Sequence, residues 1–408
     1  MTAWLPNATA VALALGVTLA LLLPRIRTAP LWQATVTPLA SIIGSGFLII
    51  APLLHGITGR WSLLVIAVLC VLSFAIGAVL RFNIAYAEPR ANQRDGIYLV
   101  EVASQVTLGA AYAISVAFYT SLFIAFLSER AAFLLPRPVM ATTAVLLALG
   151  AIAWIRGTRG LETVELAAVT IKLGIIAGVL AALALYDIET GKQWFAHGAT
   201  VELGTWDSAT VLAGLLMVTQ GFETTRFMGA RYAPPVRIRA ARNAQLIAIA
   251  IYVSFIGLTC PIFLEFPIVQ LTETTISGTL GQAVKVLPLL LFVAATASQL
   301  SAALADTIGG GGLLAAILPV RVDEQWLYAL VVGTAIVIVW RTDVFGIINL
   351  ASKGFALFYL LQVAIAMRLL ARHEGLTPPN RGAALAGCTL LLLVLLFVVL
   401  FSQPAPHG

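Results

Sequence analysis

An apolar stretch of the chain is interrupted near its middle by Gly44, Ser45 and Gly46. Glycine disfavours a continuous helix. In hydrocarbon, the backbone groups that such a break frees must be satisfied by protein or by a water-filled cavity. Broken helices of this kind surround the binding sites that secondary transporters hold near the bilayer midplane. The interruption therefore predicts a broken membrane helix with a binding site at the break.

The composition indicates a membrane protein along the whole chain. Hydrophobic residues make up 60% of the sequence and charged residues only 10%. Uncharged runs recur at about 17–25 residues, the length that crosses about 30 Å of hydrocarbon. We predict twelve membrane spans: 8–24, 33–55, 61–80, 98–128, 138–155, 162–186, 206–228, 241–264, 281–306, 325–340, 344–367 and 383–402.

The formal net charge of +6 is distributed as membrane topology requires. If the first span runs from outside to inside, the inner loops hold most of the arginines and the outer loops hold few. This positive-inside bias predicts that both termini lie outside. It explains the basic balance without nucleic acid, which we exclude as a partner. Helical spans with arginine-rich inner loops favour the cytoplasmic, or inner, membrane.

The sequence offers no signal for catalysis or for a bound metal. Cys70, Cys260 and Cys388 all lie in apolar spans, which argues against a disulfide framework or a cysteine metal site. The histidines are scattered and lack metal-ligand spacing. Neither an HExxH motif nor a nucleophile elbow is present. We therefore expect no enzyme activity, no metal and no cofactor.

Three stretches resemble the amino acid–polyamine–organocation (APC) superfamily of transporters. Residues 40–47, followed by 87–89, resemble the first core helix and the helix after it. Residues 159–174 resemble the fifth core helix, and 221–223, followed by 234–241, resemble the sixth and the loop beyond it. The resemblance extends over about residues 33 to 370.

The resemblance implies an all-α membrane protein with the LeuT-type fold. In that fold, five helices are repeated as five more in inverted orientation, and the first and sixth are unwound at the centre. Residues 33–186 would form the first repeat and 206–370 the second. An additional membrane helix within 1–32 would precede them, and a terminal helix at 383–402 would follow.

The two predicted breaks supply the candidate substrate-binding residues. The backbone N–H groups of an unwound segment, with the positive end of the next half-helix, can hold a carboxylate. The carbonyls can hold an ammonium group or a cation, and an aromatic ring can form a pocket wall. The alternative is close helix packing by small residues. The candidates are Ile43, Gly44, Ser45, Gly46, Gln220, Gly221 and Phe222.

Lys172 lies about ten residues into its span, or about 15 Å along a helix. Ionisable residues inside the membrane are functional hypotheses by default. In proton-coupled members of the superfamily, a fifth-helix lysine replaces a sodium ion and bridges to the first helix. We expect Lys172 to reach the carbonyls of Ile42 and Ile43 and to couple transport to protons. The alternative is a structural lysine. Ser298 and Ser301 either contact Lys172 or only pack helices.

Glu223 and Arg226 are three residues apart and so share a helix face. One interpretation is a local ion pair near the inner membrane surface. The other is gating, in which Glu223 helps to close the inner side against an arginine on another helix.

Two features depart from the family pattern. The run Gly309–Gly312 resembles a flexible hinge and lacks the ending of a phosphate loop. Lys353 is a second lysine near the middle of a span. It either pairs with Asp306 or Glu101, or faces the pocket and selects acidic substrates.

The predicted function is secondary active transport of an amino acid or a related small amine or carboxylate. The expected partners are that small-molecule substrate, protons and the lipid bilayer, without a sodium requirement. The alternatives are an amino acid exchanger and a transporter-like sensor or complex subunit.

Overall fold

The structure, a computed structural model, describes residues 4–44, 46–90, 96–131, 137–157, 161–191, 204–229, 231–268, 271–318, 322–371 and 378–405. Helix is the only regular secondary structure in these ranges. The chain is therefore an all-α protein, as its sequence predicts.

Sixteen α-helices follow one another along the described chain, with short 3-10 turns at Gly59–Trp61, Glu88–Arg90 and Leu216–Thr219. The helices are α1 (Trp4–Leu22), α2 (Pro24–Arg27), α3 (Pro30–Ile42), α4 (Gly46–Thr58), α5 (Ser62–Tyr86), α6 (Gly96–Ala131), α7 (Pro138–Arg156), α8 (Leu161–Thr190), α9 (Thr205–Ala213), α10 (Thr224–Phe227), α11 (Pro234–Glu265), α12 (Thr275–Ala283), α13 (Leu287–Ile317), α14 (Glu324–Val339), α15 (Val344–Ala371) and α16 (Pro378–Phe401).

Each of the twelve predicted spans has a helical counterpart. By length and composition, 9 helical segments within the described ranges could each cross a membrane, with α4 and α5 counted together. The predicted span 206–228 falls outside this set because it is interrupted, and α14 does so because it has only 16 residues.

Burial separates central helices from peripheral ones. The most apolar window of α6 is 67% buried and that of α8 is 61% buried, whereas those of α1 and α16 are 17% and 22% buried. The large exposed side chains of the outer helices are apolar, as a lipid-facing surface requires. The central helices are therefore the ones that can enclose a site.

The predicted additional helix, α1, packs against the central helix α8. A Cβ on Gly174 would lie 2.5 Å from the carbonyl oxygen of Ala14, and a Cβ on Gly178 would lie closer still to the carbonyl oxygen of Ala10. Small residues spaced four apart let two membrane helices approach closely. The helix that carries Lys172 is thus braced by α1 on one side.

Both predicted interruptions are present. Helix α3 ends at Ile42 and α4 begins at Gly46, so Gly46 starts a helix rather than lying in the break. The second interruption is longer. It runs from the end of α9 at Ala213, through the Leu216–Thr219 turn, to the start of α10 at Thr224.

The four-glycine run is helical. Helix α13 continues through Gly309–Gly312 without a break. A Cβ on Gly310 would lie 3.2 Å from the Cβ of Tyr112, and a Cβ on Gly311 would lie 2.7 Å from Cε1 of Tyr328. Gly310 and Gly311 therefore make room for two tyrosines on neighbouring helices, whereas a Cβ on Gly312 would meet nothing within 4 Å.

Candidate transport site

The two interruptions touch each other through glycine. Gly221 has a φ of +129°, which favours glycine. A Cβ there would lie 2.6 Å from the Cβ of Ser41 at the end of α3. A Cβ on Gly46 would likewise lie 2.9 Å from the Cα of Val218. The absence of side chains at these glycines allows the two broken backbones to meet.

Each of the four carbonyls that the end of α3 leaves without helical partners has a donor within hydrogen-bond distance. Such groups need partners from elsewhere when they are buried. Two partners come from the next residues of the chain, one from α8 and one from α11. The pairs are Leu39 O with Ile43 N at 3.0 Å, Ala40 O with Lys172 Nζ at 3.0 Å, Ser41 O with Gly44 N at 3.1 Å, and Ile42 O with Tyr252 Oη at 2.8 Å.

Tyr252 joins the two interruptions from the side of α11. Its hydroxyl oxygen lies 2.8 Å from the carbonyl oxygen of Ile42 and 2.7 Å from that of Val218. A tyrosine hydroxyl has one proton, so the two carbonyls share one donor. The Ser73 hydroxyl of α5 donates to the Thr219 carbonyl at 2.8 Å. Neutral side chains on α5 and α11 therefore hold the broken backbone in place.

The substrate-binding residues predicted at the first interruption differ in whether their backbone N–H groups are free to bind a ligand. The N–H groups of Ile43 and Gly44 are used by the last turn of α3, so they cannot hold a carboxylate. Ser45 lies outside the described residues. The first turn of α4, from Gly46 onward, is the part of this break whose N–H groups have no partner within their own helix.

The second interruption contributes polar and aromatic side chains. Gln220 is 4% exposed, and both polar atoms of its amide are buried without a hydrogen-bond partner in the described part of the chain. Phe222 is buried and stacks on Tyr359 of α15, with ring centroids 5.5 Å apart. The two residues flank Gly221, as a site at this break requires.

Lys172 links three helices. Its ammonium nitrogen donates to the Ala40 carbonyl of α3 at 3.0 Å and to the Ser298 hydroxyl of α13 at 2.9 Å. The predicted acceptors were Ile42 and Ile43. Ala40 takes that place because α3 remains helical through Ile42, whose carbonyl is occupied by a tyrosine.

A second contact joins α8 to α3. The Thr37 hydroxyl donates to Oε2 of Glu165 at 3.1 Å, and Glu165 is buried. Glu165 precedes Lys172 by seven residues and interacts with it electrostatically. Two turns of α8 are therefore attached to the last turns of the broken helix.

Ser301 is buried on α13, three residues beyond Ser298. Within the described contacts, Lys172 bonds to Ser298 and makes no hydrogen bond to Ser301. Gln299 is fully buried, and its amide has no partner among the described residues. Of the two serines predicted to contact Lys172, only Ser298 accepts a hydrogen bond from it in the described structure.

Arg226 pairs with carboxylates on other elements rather than with Glu223. Its guanidinium lies 3.0 Å from Oε1 of Glu101 on α6 and 3.8 Å from Oε1 of Glu88. It also donates to the side-chain oxygen of Gln362 on α15. The local ion pair with Glu223, one of the two interpretations of the sequence, is not formed among the described residues, because the Arg226 guanidinium binds Glu101, Glu88 and Gln362 instead.

Arg237 completes this cluster at the arginine-rich end of the bundle. It lies 2.6 Å from Oε2 of Glu88 and donates to the carbonyls of Thr225 at 3.3 Å and Arg226 at 2.9 Å. Gln362 donates to Ser104 of α6 at 2.8 Å. We call Glu88, Glu101, Arg226, Arg237 and Gln362 the arginine cluster.

Glu223 belongs to the second interruption. Its Oε2 accepts the Gly221 N–H at 2.8 Å and the Tyr359 hydroxyl at 2.6 Å. Its Oε1 is buried and has no partner in the described structure. Glu223 therefore fixes the shape of the break with one oxygen and leaves the other available.

Comparison with known proteins identifies the family of this assembly. Residues 24–402 match a family described as APC superfamily transporter. The chain belongs to the APC superfamily of transporters. The match begins after α1 and includes both interruptions and Lys172. An uncharacterized protein of Aquifex aeolicus (strain VF5) is 38% identical over 389 residues, which cover 93% of each chain. The protein is thus a multi-pass membrane transporter.

Among the described residues, Lys353 does not form the ion pair with Asp306 or Glu101 that was one of its two predicted roles. Glu101 bonds to Arg226, and no carboxylate of the described chain lies within ion-pair distance of Lys353. The lysine is half-buried and shares its face of α15 with the exposed Leu350 and Leu357. Leucines exposed on that face indicate that it is turned away from the core.

Sequence reasoning missed several residues that organise the site in the transporter. Tyr252 and Tyr359 reach the broken backbone, Glu165 anchors α8, and Gln362 joins the arginine cluster. Each is a polar group within a largely apolar span, which is the signal that marked Lys172. That signal identifies a candidate but does not identify its partner on another helix.

Proposed function

We propose that the protein is a proton-coupled, sodium-independent secondary transporter of an amino acid or a related small amine or carboxylate, working by alternating access. The observation that supports coupling is the position of Lys172, whose ammonium is bound by Ala40 of α3 and Ser298 of α13. An ammonium group there supplies the positive charge that a sodium ion would otherwise supply, and it repels sodium.

The coupling step follows from the chemistry of the lysine. A protonated Lys172 holds α8 against the end of α3. Lysines in apolar surroundings can release a proton near neutral pH. A neutral amine binds the Ala40 carbonyl less strongly, because charge-assisted hydrogen bonds are about twice as strong as neutral ones. Proton release would therefore favour the separation of α3 from α8, which links protonation to a shift between two conformations.

The substrate would bind between the two interruptions. Its carboxylate would meet the first turn of α4, and its amino group would meet the backbone near Gly221. In this proposal residues 33–186 and 206–370 are two inverted five-helix repeats, and the arginine cluster is a closed gate on the inner side. The protein would lie in the cytoplasmic membrane with both termini outside, as the positive-inside rule indicates.

Uptake by proteoliposomes tests this function. Labelled amino acids and small amines would be offered under an imposed pH gradient, an imposed sodium gradient, or neither. We expect an acid-outside gradient to drive uptake of at least one compound and the sodium gradient to have no effect. Lys172→Ala should lose the response to the pH gradient and retain substrate binding, because the substrate contacts other residues.

The matched control is Lys285→Ala, since Lys285 is an exposed lysine in the link between α12 and α13. It should transport as the unmodified protein does. Strict sodium dependence of the unmodified protein, or an unchanged pH response in Lys172→Ala, would refute the proposed coupling.

A further inference from the structure

We propose that His55 is a second proton-binding site of the protein, and that a proton bound there opens the end of the helix bundle opposite the arginine cluster. The inference rests on the proposed transport function and adds to it a proton site that is separate from Lys172. It starts from the contacts that the His55 ring makes with two other helices.

The His55 ring is buried on α4 and joins that helix to α5 and α11. Its Nδ1 lies 3.1 Å from the Ser62 hydroxyl oxygen at the start of α5, and its Nε2 lies 3.3 Å from the Thr259 hydroxyl oxygen of α11. The ring also packs on Phe263 of α11, with ring centroids 4.7 Å apart. We call these four residues the His55 contact.

The other bonds of the two hydroxyls assign the hydrogens of the ring. Thr259 directs its hydroxyl at carbonyls of its own helix, Phe255 at 2.9 Å and Ile256 at 3.1 Å. Its oxygen is then left to accept, so Nε2 carries the ring hydrogen and Nδ1 accepts from Ser62. A neutral His55 is therefore satisfied on both sides.

A proton taken from water would add to Nδ1, which has a lone pair. The Ser62 hydroxyl would then turn its hydrogen to the Gly59 carbonyl, which is also within its reach. The hydrogen bonds can thus be rearranged, but the ring gains a positive charge. A buried charge is costly unless an opposite charge accompanies it.

The elements packed against α4 provide no such partner. Helix α12 and the Leu216–Thr219 turn contain no ionisable residue. The groups of α5 and α11 that face the ring are two hydroxyls and a phenyl ring. The phenyl face attracts a cation but replaces only part of its hydration.

The ionisable groups nearest along the chain do not compensate the charge either. Cys260, beside Thr259, is a buried thiol. Glu265 accepts a hydrogen bond from the Tyr186 hydroxyl of α8 at 2.7 Å. Arg60, in the turn between α4 and α5, is itself a cation. Within the described ranges, His55 forms no ion pair, so a charged ring favours any movement that admits water.

Helix α11 places the His55 contact far from the arginine cluster. Arg237 and Thr259 are 22 positions apart on this helix, or about 33 Å at the rise of an α-helix. Tyr252 lies between them and bonds to both interruptions. One helix thus carries the arginine cluster near its start, the interruptions in its middle and the His55 contact near its end.

Protonation of His55 would weaken the attachment of α4 to α11 at one end only. The ion pairs of the arginine cluster at the other end do not involve this proton. Acid on the side of His55 would then favour the conformation that is open to that same side, because the open state binds the proton better.

The first measurement follows the proton itself. The full-length protein in lipid nanodiscs carries 15N in its histidine rings, and the other three histidines, His197, His373 and His407, are replaced by glutamine so that only His55 is observed. At about pH 8, above the range in which histidines usually titrate, we expect a neutral ring with its hydrogen on Nε2.

The second measurement follows the opening. Spin labels replace Arg60 and Leu264, which are exposed at the ends of the two elements joined by His55, and the native cysteines in the described chain are buried. Between about pH 8 and pH 5, we expect the distance between the labels to increase by about 2 Å or more. The increase and the second ring proton should appear over the same pH range.

The variants separate proton binding from packing. His55→Gln can still bond to both hydroxyls but has no ring to protonate, so the distance should stay short at every pH. The matched control is His373→Gln, in the link between α15 and α16, which should retain the increase. Thr259→Val preserves shape and removes the acceptor of Nε2, so opening should shift to higher pH.

Three results would overturn the inference: a distance that does not change with pH, an increase that persists in His55→Gln, or a ring that stays neutral while the distance increases. Proteoliposome uptake keeps this apart from the proposed function. If a pH gradient drives uptake while the distance stays constant, only the His55 inference is wrong. If the distance responds to His55 but no gradient drives uptake, only the transport mechanism is wrong.

Discussion

Two buried cations hold the broken helices to their neighbours, and their acceptors differ. Lys172 is bound by a backbone carbonyl at 3.0 Å and a hydroxyl at 2.9 Å, both neutral. Arg226 is bound by carboxylates, with Glu101 at 3.0 Å and Glu88 at 3.8 Å. A guanidinium stays protonated in proteins, whereas an ammonium in apolar surroundings can release its proton.

This difference separates two kinds of contact in one assembly. The Lys172 contact can be weakened by a proton leaving, with no prior movement of a helix. The Arg226 contact joins a guanidinium to two carboxylates, so weakening it requires Glu88 and Glu101 to move away from Arg226. In the proposed mechanism, the Lys172 contact would respond to protons and the arginine cluster would act as the gate.

The largest expected effect is the loss of folding stability when Arg226 is replaced by methionine, compared with the same replacement at Lys172. Arg226→Met leaves two carboxylates of the arginine cluster without their cation. Breaking a buried pair costs about 3–5 kcal/mol, and we expect the lower end because the Glu88 side chain is 24% exposed. Lys172→Met leaves two neutral hydrogen-bond acceptors, at about 1–3 kcal/mol, and it also removes the positive charge that interacts with Glu165 without a hydrogen bond between the two side chains. The unfolding midpoints of the two detergent-solubilised variants, compared with that of the unmodified protein, measure these two losses of stability.

A matched conservative variant controls for lost packing. Arg226→Lys retains a positive charge and should recover part of the unfolding midpoint lost in Arg226→Met. Equal destabilisation by Arg226→Met and Lys172→Met would show that acceptor charge does not distinguish the two regions, and the comparison would fail.

The second prediction concerns Gly221, where the two helix interruptions touch each other. Gly221→Ala requires an L-residue at a φ of +129° and places a Cβ 2.6 Å from that of Ser41. Backbone strain and overpacking together suggest a loss of about 2–4 kcal/mol. Transport should be abolished, because the two interruptions can no longer touch. Uptake into proteoliposomes from protein of verified folding measures this.

Gly278→Ala is the matched control, since a Cβ at Gly278 in α12 would meet nothing within 4 Å. It should leave uptake and the unfolding midpoint nearly unchanged. Full transport by Gly221→Ala would mean that close contact between the interruptions is not required.

The fold could be predicted from sequence where a pattern is local. Span length and glycine placement identify the helices and the two interruptions, because both depend on short runs of the chain. The Gly309–Gly312 run shows the limit of such patterns, because the close neighbours of Gly310 and Gly311 are two tyrosines on other helices, Tyr112 and Tyr328. A glycine that breaks a helix and a glycine that admits a neighbour are identical in sequence.

The site could be predicted only in part for the same reason. Lys172 is recognisable because a charge inside an apolar span is expensive and rare. Its acceptor Ala40 has no distinguishing side chain, and only the end of α3 at Ile42 determines which carbonyl is free. The partners of Arg226 are more than a hundred residues away along the chain, so proximity in sequence favoured the wrong partner, Glu223.

The smallest expected effect is that of Ser298→Ala, which tests how much one neutral acceptor contributes to the Lys172 contact. Ser298→Ala removes one neutral acceptor of the ammonium and leaves Ala40 in place. One hydrogen bond to a charged group contributes about 1.5–3 kcal/mol, and the remaining carbonyl should limit the loss to about 1 kcal/mol. We expect a slightly lower unfolding midpoint and a weaker response of uptake to the pH gradient. Ser301→Ala makes the same change on the same helix without touching Lys172, so it should leave the pH response unaltered. If the two variants behave alike, the serines only pack helices, and the lysine is held to α3 by the Ala40 carbonyl alone.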